Sequence, residues 1–391
     1  MRIVIGIHSL AAEGGMPSYA YTVADQLQRA GHDIYIFSGS EDGPTDRLAA
    51  LGLRTISGAA ALPEEIDVFF VQDQPSAFDL LAARPEVPQV FVWHSSLFDV
   101  NLTPQLPDVT RLVVQVTGRP LERPQSLAVK APIVRLRQPI DLQQFTPIGA
   151  ISATPRRAIS ISNYLDGERR AVLIEAFDRA GIELELFGGK EPAQSLRAQD
   201  DMNRADIVIG KGRVIMEAMA CGRAAFVYDD FGFDGWVTPE NFDALLETGV
   251  SGASTTKSAT VEHVLRELAG YSQSMGEVNR DLAMATLGVS RHTGELIEAI
   301  EQVLADQLPQ PANESASELA RLSRVSWRHE SEAFQLRTQL RVAAEEYEEL
   351  RQRAEAEIAA LDQTLAAIVD SRRWQLLNKL LAPIDRLRGR R

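Results

Sequence analysis

The sequence is poor in the residues that build metal clusters, disulfides and membrane spans. It has a single cysteine, Cys221, among 391 residues, which excludes a disulfide framework and a thiolate metal cluster. Its six histidines (8, 32, 94, 263, 292 and 329) are scattered, with no pair at metal-ligand spacing. No apolar run reaches the roughly 18 residues of a membrane span. The opening MRIVIGIHSL turns polar too soon for a signal peptide and reads as a first β-strand, so a soluble cytoplasmic protein is expected. There is no D-x-D triplet, although Asp229–Asp230 form a doublet, so a metal held by closely spaced carboxylates is not expected. No G-x-G-x-x-G, G-x-S-x-G or G-x-x-x-x-G-K-[ST] string occurs, which argues against dinucleotide, serine-hydrolase and P-loop chemistry.

Basic charge is also scarce, except in one place. The net charge is −14, which argues against nucleic-acid binding. Residues 371–391 hold seven basic residues against Asp385, a net +6, and leave −20 on the rest of the chain. An acidic body with a basic tip therefore needs explaining.

A hydrophobic content of 45% is enough for sizeable cores, and about 150 residues per domain suggests two or three. Residues 1–146 alternate apolar strands (3–7, 33–38, 68–71, 90–93, 112–116, 133–136) with helical stretches such as 17–30. Strand–helix alternation predicts a doubly wound parallel sheet. The Pro-, Gly-, Ser- and Thr-rich stretch 147–157 reads as a linker. The pattern restarts over 158–308 with strands at 158–162, 183–187, 207–209 and 224–228 and helices at 169–180 and 213–220. The stretch between Phe187 and Ala205 is short enough that a helix and a strand are expected to be missing.

After a second linker, 309–317, neither glycine nor proline occurs through residue 382. A heptad seam runs through Ala333, Leu336, Leu340, Ala343, Tyr347, Leu350, Ala354, Glu357, Leu361, Thr364 and Ile368. It predicts a coiled coil over 318–370 and self-association. A single solvated helix is the other reading of the same spacing. In 371–391, Trp374, Leu377, Leu381 and Ile384 share a helical face among arginines, a composition suited to an anionic membrane surface. A plain cationic helix end would look much the same.

Several residues are candidates for chemistry. In ADIVIGKGRVIMEAMACG (205–222), Gly210 and Gly212 flank Lys211 where a strand meets a helix starting near Arg213. Such a turn exposes backbone N–H groups and a helix dipole to a diphosphate, and Glu217 one turn on would accept from a ribose diol. The same residues would also serve a plain glycine turn. Gly14–Gly15 follow the first strand on the ligand side of an α/β sheet, as His94 does in FVWHSS. A loop glycine pair and a structural histidine are the ordinary alternatives. Asn163 and Arg169–Arg170 follow the second domain's first strand, where arginines neutralise phosphate or simply face solvent.

Taken together, these elements resemble a GT-B glycosyltransferase, and more narrowly the family 4 retaining enzymes. The resemblance covers residues 1–305 and rests on Gly14–Gly15 with GHDIYIFSG (31–39), RQPIDLQQFTP (137–147), MEAMACGRAAFVYD (216–229) and GVSRHTGELIEAIEQVL (288–304). It implies two Rossmann-like domains facing a cleft and metal-independent transfer of a sugar from a nucleotide-sugar donor by front-face displacement. Glu217 would hold the donor ribose, Gly15 would approach the diphosphate, Arg169 or Arg170 would neutralise it, and His94 would lie near the transferred sugar. The first of the family's paired glutamates falls on Ile209, and where the family usually has Arg and Lys after the second domain's first strand, this chain has Asn163 and then Arg169–Arg170. The tail DSRRWQLLNKLLAPIDRLRGRR is similar to those following coiled coils in bacterial polysaccharide-assembly glycosyltransferases, which implies a cell-envelope glycan or lipid-linked acceptor and a peripheral place on the plasma membrane. The departures keep two other functions in view, a non-catalytic GT-B scaffold or sensor and a GT-B-like sugar-nucleotide epimerase.

Overall fold

The computed structural model describes all residues except 10–14, 40–45, 95–98, 105–108, 117–130, 164, 189–197, 231, 256, 258, 306–314 and 378–391. The first α/β layer comprises β1 (Arg2–Gly6), α1 (Gly15–Arg29), β2 (Asp33–Phe37), α2 (Asp46–Ala50), β3 (Arg54–Ile56), β4 (Val68–Val71), α3 (Gln74–Ala83), β5 (Gln89–Trp93), β6 (Thr110–Gln115) and β7 (Ile133–Arg135). All seven strands are parallel, in the order β3-β2-β1-β4-β5-β6-β7. Burial of both faces explains why strands such as β4, VFFV with every residue buried, read as unbroken apolar runs. Helix α1 buries Tyr19, Ala20, Val23, Ala24 and Leu27, one stripe at helical spacing. The strand order reverses between β1 and β4, and ligands bind at such a switch point, outside the strands' carboxyl ends.

The second layer comprises β8 (Arg157–Ile161), α4 (Gly167–Ala180), β9 (Glu183–Phe187), α5 (Ala198–Arg204), β10 (Ile207–Gly210), α6 (Arg213–Ala220), β11 (Ala224–Asp229), β12 (Gly232–Trp236), α7 (Phe242–Glu247), α8 (Val261–Leu268), α9 (Ser274–Thr286) and α10 (Val289–Ala305). Its order is β12-β11-β10-β8-β9, parallel except for β12, so its switch point lies between β8 and β10. Among the described residues no strand stands between β9 and β10, while helix α5 fills part of the stretch where a helix was expected to be missing.

The chain crosses between the layers twice, side by side. Ile140 N donates to Leu287 O at 2.8 Å, and Val289 N donates to Ile140 O at 3.0 Å. Helix α10 then returns to the first layer, where Leu296 and Ile300 join the core around Ile3, Val23 and Val114.

A last helix, α11 (Ala316–Asp370), runs 55 residues. Its first four turns belong to the compact unit Met1–Ser331, packing Ala316 and Ala320 against Phe78, Leu81 and Val109. Residues 332–391 form a unit of their own. In that unit Leu336, Leu340, Tyr347, Leu350, Leu361 and Ile368 are exposed along the helix, as are Trp374 and Leu377 beyond it. No described helix is long and apolar enough to cross a membrane.

Candidate donor and acceptor sites at the two switch points

At the second switch point, the carboxyl ends of β8, β10 and β11 bring together Ser162, Lys211, Asp229 and Asp230. Gly210 (φ +159°) and Gly212 (φ +56°) turn the chain from β10 into α6, conformations that a side chain rarely adopts. A Cβ on Gly210 would lie 3.1 Å from Ile161 O, so glycine also allows β10 to end close against β8. Between them, Lys211 Nζ pairs with Asp230 Oδ1 at 2.5 Å and approaches Asp229 Oδ2 at 3.7 Å. Asp229 is only 1% exposed and accepts from Ser162 Oγ at 2.8 Å and from Asp230 N at 2.7 Å. Burial pushes its carboxyl up to about 6, against the opposing pull of Lys211 and of those hydrogen bonds. The acidic doublet that fitted no metal motif is thus the counter-charge of the loop lysine.

Helix α4 begins beside this cluster, capped by the Asp166 side chain accepting from Gly167 N at 2.8 Å. Arg169 and Arg170 lie in its first turn, both half-buried. Tyr228, at the end of β11, donates its hydroxyl to Arg169 O at 2.7 Å. Arg169 Nη1 is buried without a hydrogen-bond partner among the described residues. A buried donor left unpaired costs about 1–3 kcal/mol, which an oxyanion at that position would relieve. Asn163 is exposed at the end of β8, its Oδ1 close against Gly188 at the end of β9.

Glu217, the expected partner of a ribose diol, is already joined to Arg213. On α6 they stand one turn apart, and Arg213 Nε donates to Glu217 Oε1 at 2.6 Å. The same guanidinium donates to Pro139 O at 2.9 Å and to Thr22 Oγ1 of α1 at 3.1 Å. Both side chains are nearly enclosed, at 11% and 12% exposure. A ribose diol reaching Glu217 would share its carboxylate with Arg213. Ile209 is fully buried in the core with Phe226 and Tyr228, so that position supplies no polar group.

At the first switch point, His8 follows β1, Gln72 and Asp73 follow β4, and His94 follows β5. Asp73 is buried, caps α3 by accepting from Ser76 N at 2.9 Å, and accepts from His8 N at 2.7 Å. His94 Nε2 lies 2.7 Å from Gln72 Oε1, which makes the ring nitrogen the donor and Nδ1 the acceptor. Its neighbour Tyr19 meets it edge to face at 4.8 Å and meets His292 of α10 at 5.4 Å. His292 Nδ1 is 2.7 Å from Arg137 O, so Nδ1 carries the proton, and Tyr19 donates to Nε2 at 2.9 Å. Burial pushes His94 down to about 3, with His292 adding a smaller push, and pushes His292 down to about 4. Both rings are therefore neutral at ordinary pH, so His94 offers hydrogen bonding rather than charge at this position.

The structure thus assembles Asn163, Arg169, Arg170, Gly210, Lys211 and Gly212 at one switch point and His94 at the other. Arg213 and Glu217 lie between the layers. Gly15 starts α1, and Gly14 lies outside the described residues. Tyr19, His292 and Ser162 emerge only from the fold, as does the pairing of the Asp229–Asp230 doublet with Lys211.

No protein-family model matches this sequence, and neither does any curated protein sequence. Solved structures do resemble it. HepE of Anabaena, in complex with UDP and glucose, aligns with a TM-score of 0.56 at 14% identity, over 77% of this chain and 99% of its own. The same protein with UDP-glucose gives 0.54 at 14% identity, over 77% and 100%. An alpha-glucosyltransferase bound to UDP and a 13-mer DNA gives 0.54 at 11% identity, over 77% and 99%. With two parallel-sheet α/β layers joined by a double crossing, this chain has the GT-B fold.

Proposed function

We propose that the protein is a glycosyltransferase that moves a sugar from a nucleotide-sugar donor to a cell-envelope glycan or lipid-linked acceptor, with retention and without a metal. The observation that carries this reading is the Gly210–Lys211–Gly212 turn at the switch point of a GT-B fold, with the start of α4 beside it. There the departing diphosphate would meet Lys211, Arg169 and the first N–H groups of α6, charges aimed at where negative charge develops. That HepE and the alpha-glucosyltransferase carry UDP supports a uridine donor.

The first test is a titration with UDP-glucose, a diphosphate ester whose own charge is constant near pH 6. Binding should strengthen about tenfold as pH falls through about 6, because Asp229 then takes up a proton and one negative charge beside the phosphates disappears. Asp229→Asn should remove that pH dependence and bind tightly throughout. Glu217→Gln should weaken binding about tenfold, a charge-assisted hydrogen bond becoming a neutral one. Absence of binding across a panel of common nucleotide-sugars would sink the reading.

A second reading, a non-catalytic GT-B module that binds donor without turnover, is favoured by buried Ile209 and by the acid pair opposing Lys211. Nucleotide release with the same panel separates the two, and NMR of the donor pool would reveal an epimerase instead.

For the remaining chain we infer self-association and membrane contact. The exposed row from Leu336 to Ile368 supports a coiled coil, and the basic Trp374-containing segment supports an anionic surface at about 1 kcal/mol per basic residue. The full chain should sediment as an oligomer, and Leu340→Asp with Leu350→Asp as a monomer. Removing 371–391 should abolish co-sedimentation with phosphatidylglycerol vesicles while leaving UDP-glucose affinity intact. Unchanged sedimentation in either experiment would refute the corresponding claim.

A further inference from the structure

The first turns of α11 do more than lead into a coiled coil. One face of the helix spans the carboxyl edge of the first sheet, and three contacts three residues apart trace its course. Arg324 pairs with both oxygens of Asp79 on α3, at 2.7 and 2.6 Å, close to Gly39 beyond β2. Trp327 meets His8 beyond β1, with ring centroids 6.2 Å apart at 76°. Glu330 accepts from Asp99 N, beyond β5, at 3.0 and 3.2 Å. Ion pair, ring contact and backbone hydrogen bond fix the helix over the switch point, and buried Ala316, Ala320 and Ser323 anchor it from behind.

We propose that Trp327 and His8 form a carbohydrate subsite, with a pyranose of the acceptor lying against the indole. The two rings stand nearly perpendicular, so they make two walls of a corner instead of a closed stack. Trp327 is half-buried, held by the helix yet reachable. His8 Nδ1 is buried with no hydrogen-bond partner among the described residues, while its backbone N–H is taken by Asp73. A pyranose fits that corner chemically: its C–H face is apolar and suits an aromatic surface. The subsite deepens the glycosyltransferase reading and rests on it. It assigns acceptor recognition partly to the helix appended after the two α/β layers.

The test uses the full chain labelled with 5-fluorotryptophan, which gives four resonances, for Trp93, Trp236, Trp327 and Trp374. The probes are methyl α- and β-glucopyranoside and methyl β-galactopyranoside. At least one should shift the Trp327 resonance, assigned with Trp327→Phe, and leave that of Trp236 in the second layer unmoved. Saturation transfer to that glycoside should fall about five- to tenfold in Trp327→Ala, recover in Trp327→Tyr, and fall in His8→Ala. No shift of Trp327 with any glycoside, or undiminished transfer in Trp327→Ala, would overturn the subsite. An unmoved Trp236 resonance in each variant confirms folding. UDP-glucose affinity, read in the same samples, should ignore Trp327→Ala. Its absence in the wild type would overturn the donor reading and leave the glycoside result to decide the subsite.

Discussion

Arg213→Ala should destabilise the protein by about 3–5 kcal/mol, the range seen when one partner of a buried ion pair is removed. The guanidinium is 11% exposed and its three nitrogens bind Glu217, Pro139 O and Thr22 Oγ1. Truncation leaves the Glu217 carboxylate enclosed without its cation and Pro139 O without this donor. The effect also reaches across the fold, because Thr22 belongs to the first layer and Arg213 to the second. The double variant Arg213→Met, Glu217→Leu should recover most of the loss, since neither charge then has to be desolvated. Urea unfolding of Arg213→Ala, and of Arg213→Met and Glu217→Leu each alone and together, measures the loss and the coupling. A loss below about 1 kcal/mol in Arg213→Ala would show that solvent reaches the pair and that it does not hold the layers together.

That contact also marks where sequence reading stops. The i,i+4 spacing of Arg213 and Glu217 is visible on any helical wheel, but Thr22 lies 191 residues away and nothing local announces it. The histidines make the same point. Scattered along the chain, His94 and His292 look unrelated, yet the return of α10 to the first layer sets them on either side of Tyr19. The parallel strands were legible because burial on both faces leaves continuous apolar runs such as Val68–Val71. Strand β12 was not legible: GFDGW neither alternates nor runs apolar, and it pairs antiparallel with β11 through a register shift. The long helix was readable from its lack of glycine and proline. Its first four turns, before the seam begins at Ala333, gave no signal of packing on the first layer. Small buried residues such as Ala316 and Ala320 are as common on a solvated helix as in a contact.

The second large effect is expected at Gly252. This residue has φ +86°, and a Cβ there would lie 2.7 Å from both C and O of Gly232. Those atoms are backbone at the start of β12, so no flexible side-chain end can swing aside. The loop cannot retreat easily, because Asp234 of β12 holds it by accepting from Ser254 Oγ at 2.6 Å and from Thr255 N at 2.8 Å. A left-handed conformation costs an L-residue about 1–2 kcal/mol, and forcing atoms into a filled site adds about 1–3 kcal/mol. Gly252→Ala should therefore lose about 3 kcal/mol or more. Trp236, buried on the same strand, reports the transition by its fluorescence during urea unfolding. Gly149→Ala is the control, since a Cβ there meets nothing within 4 Å and needs no unusual φ. Its midpoint should stay near that of the wild type. Equal midpoints for the two variants would mean that the loop and β12 separate readily, and that Asp234 does not clamp them.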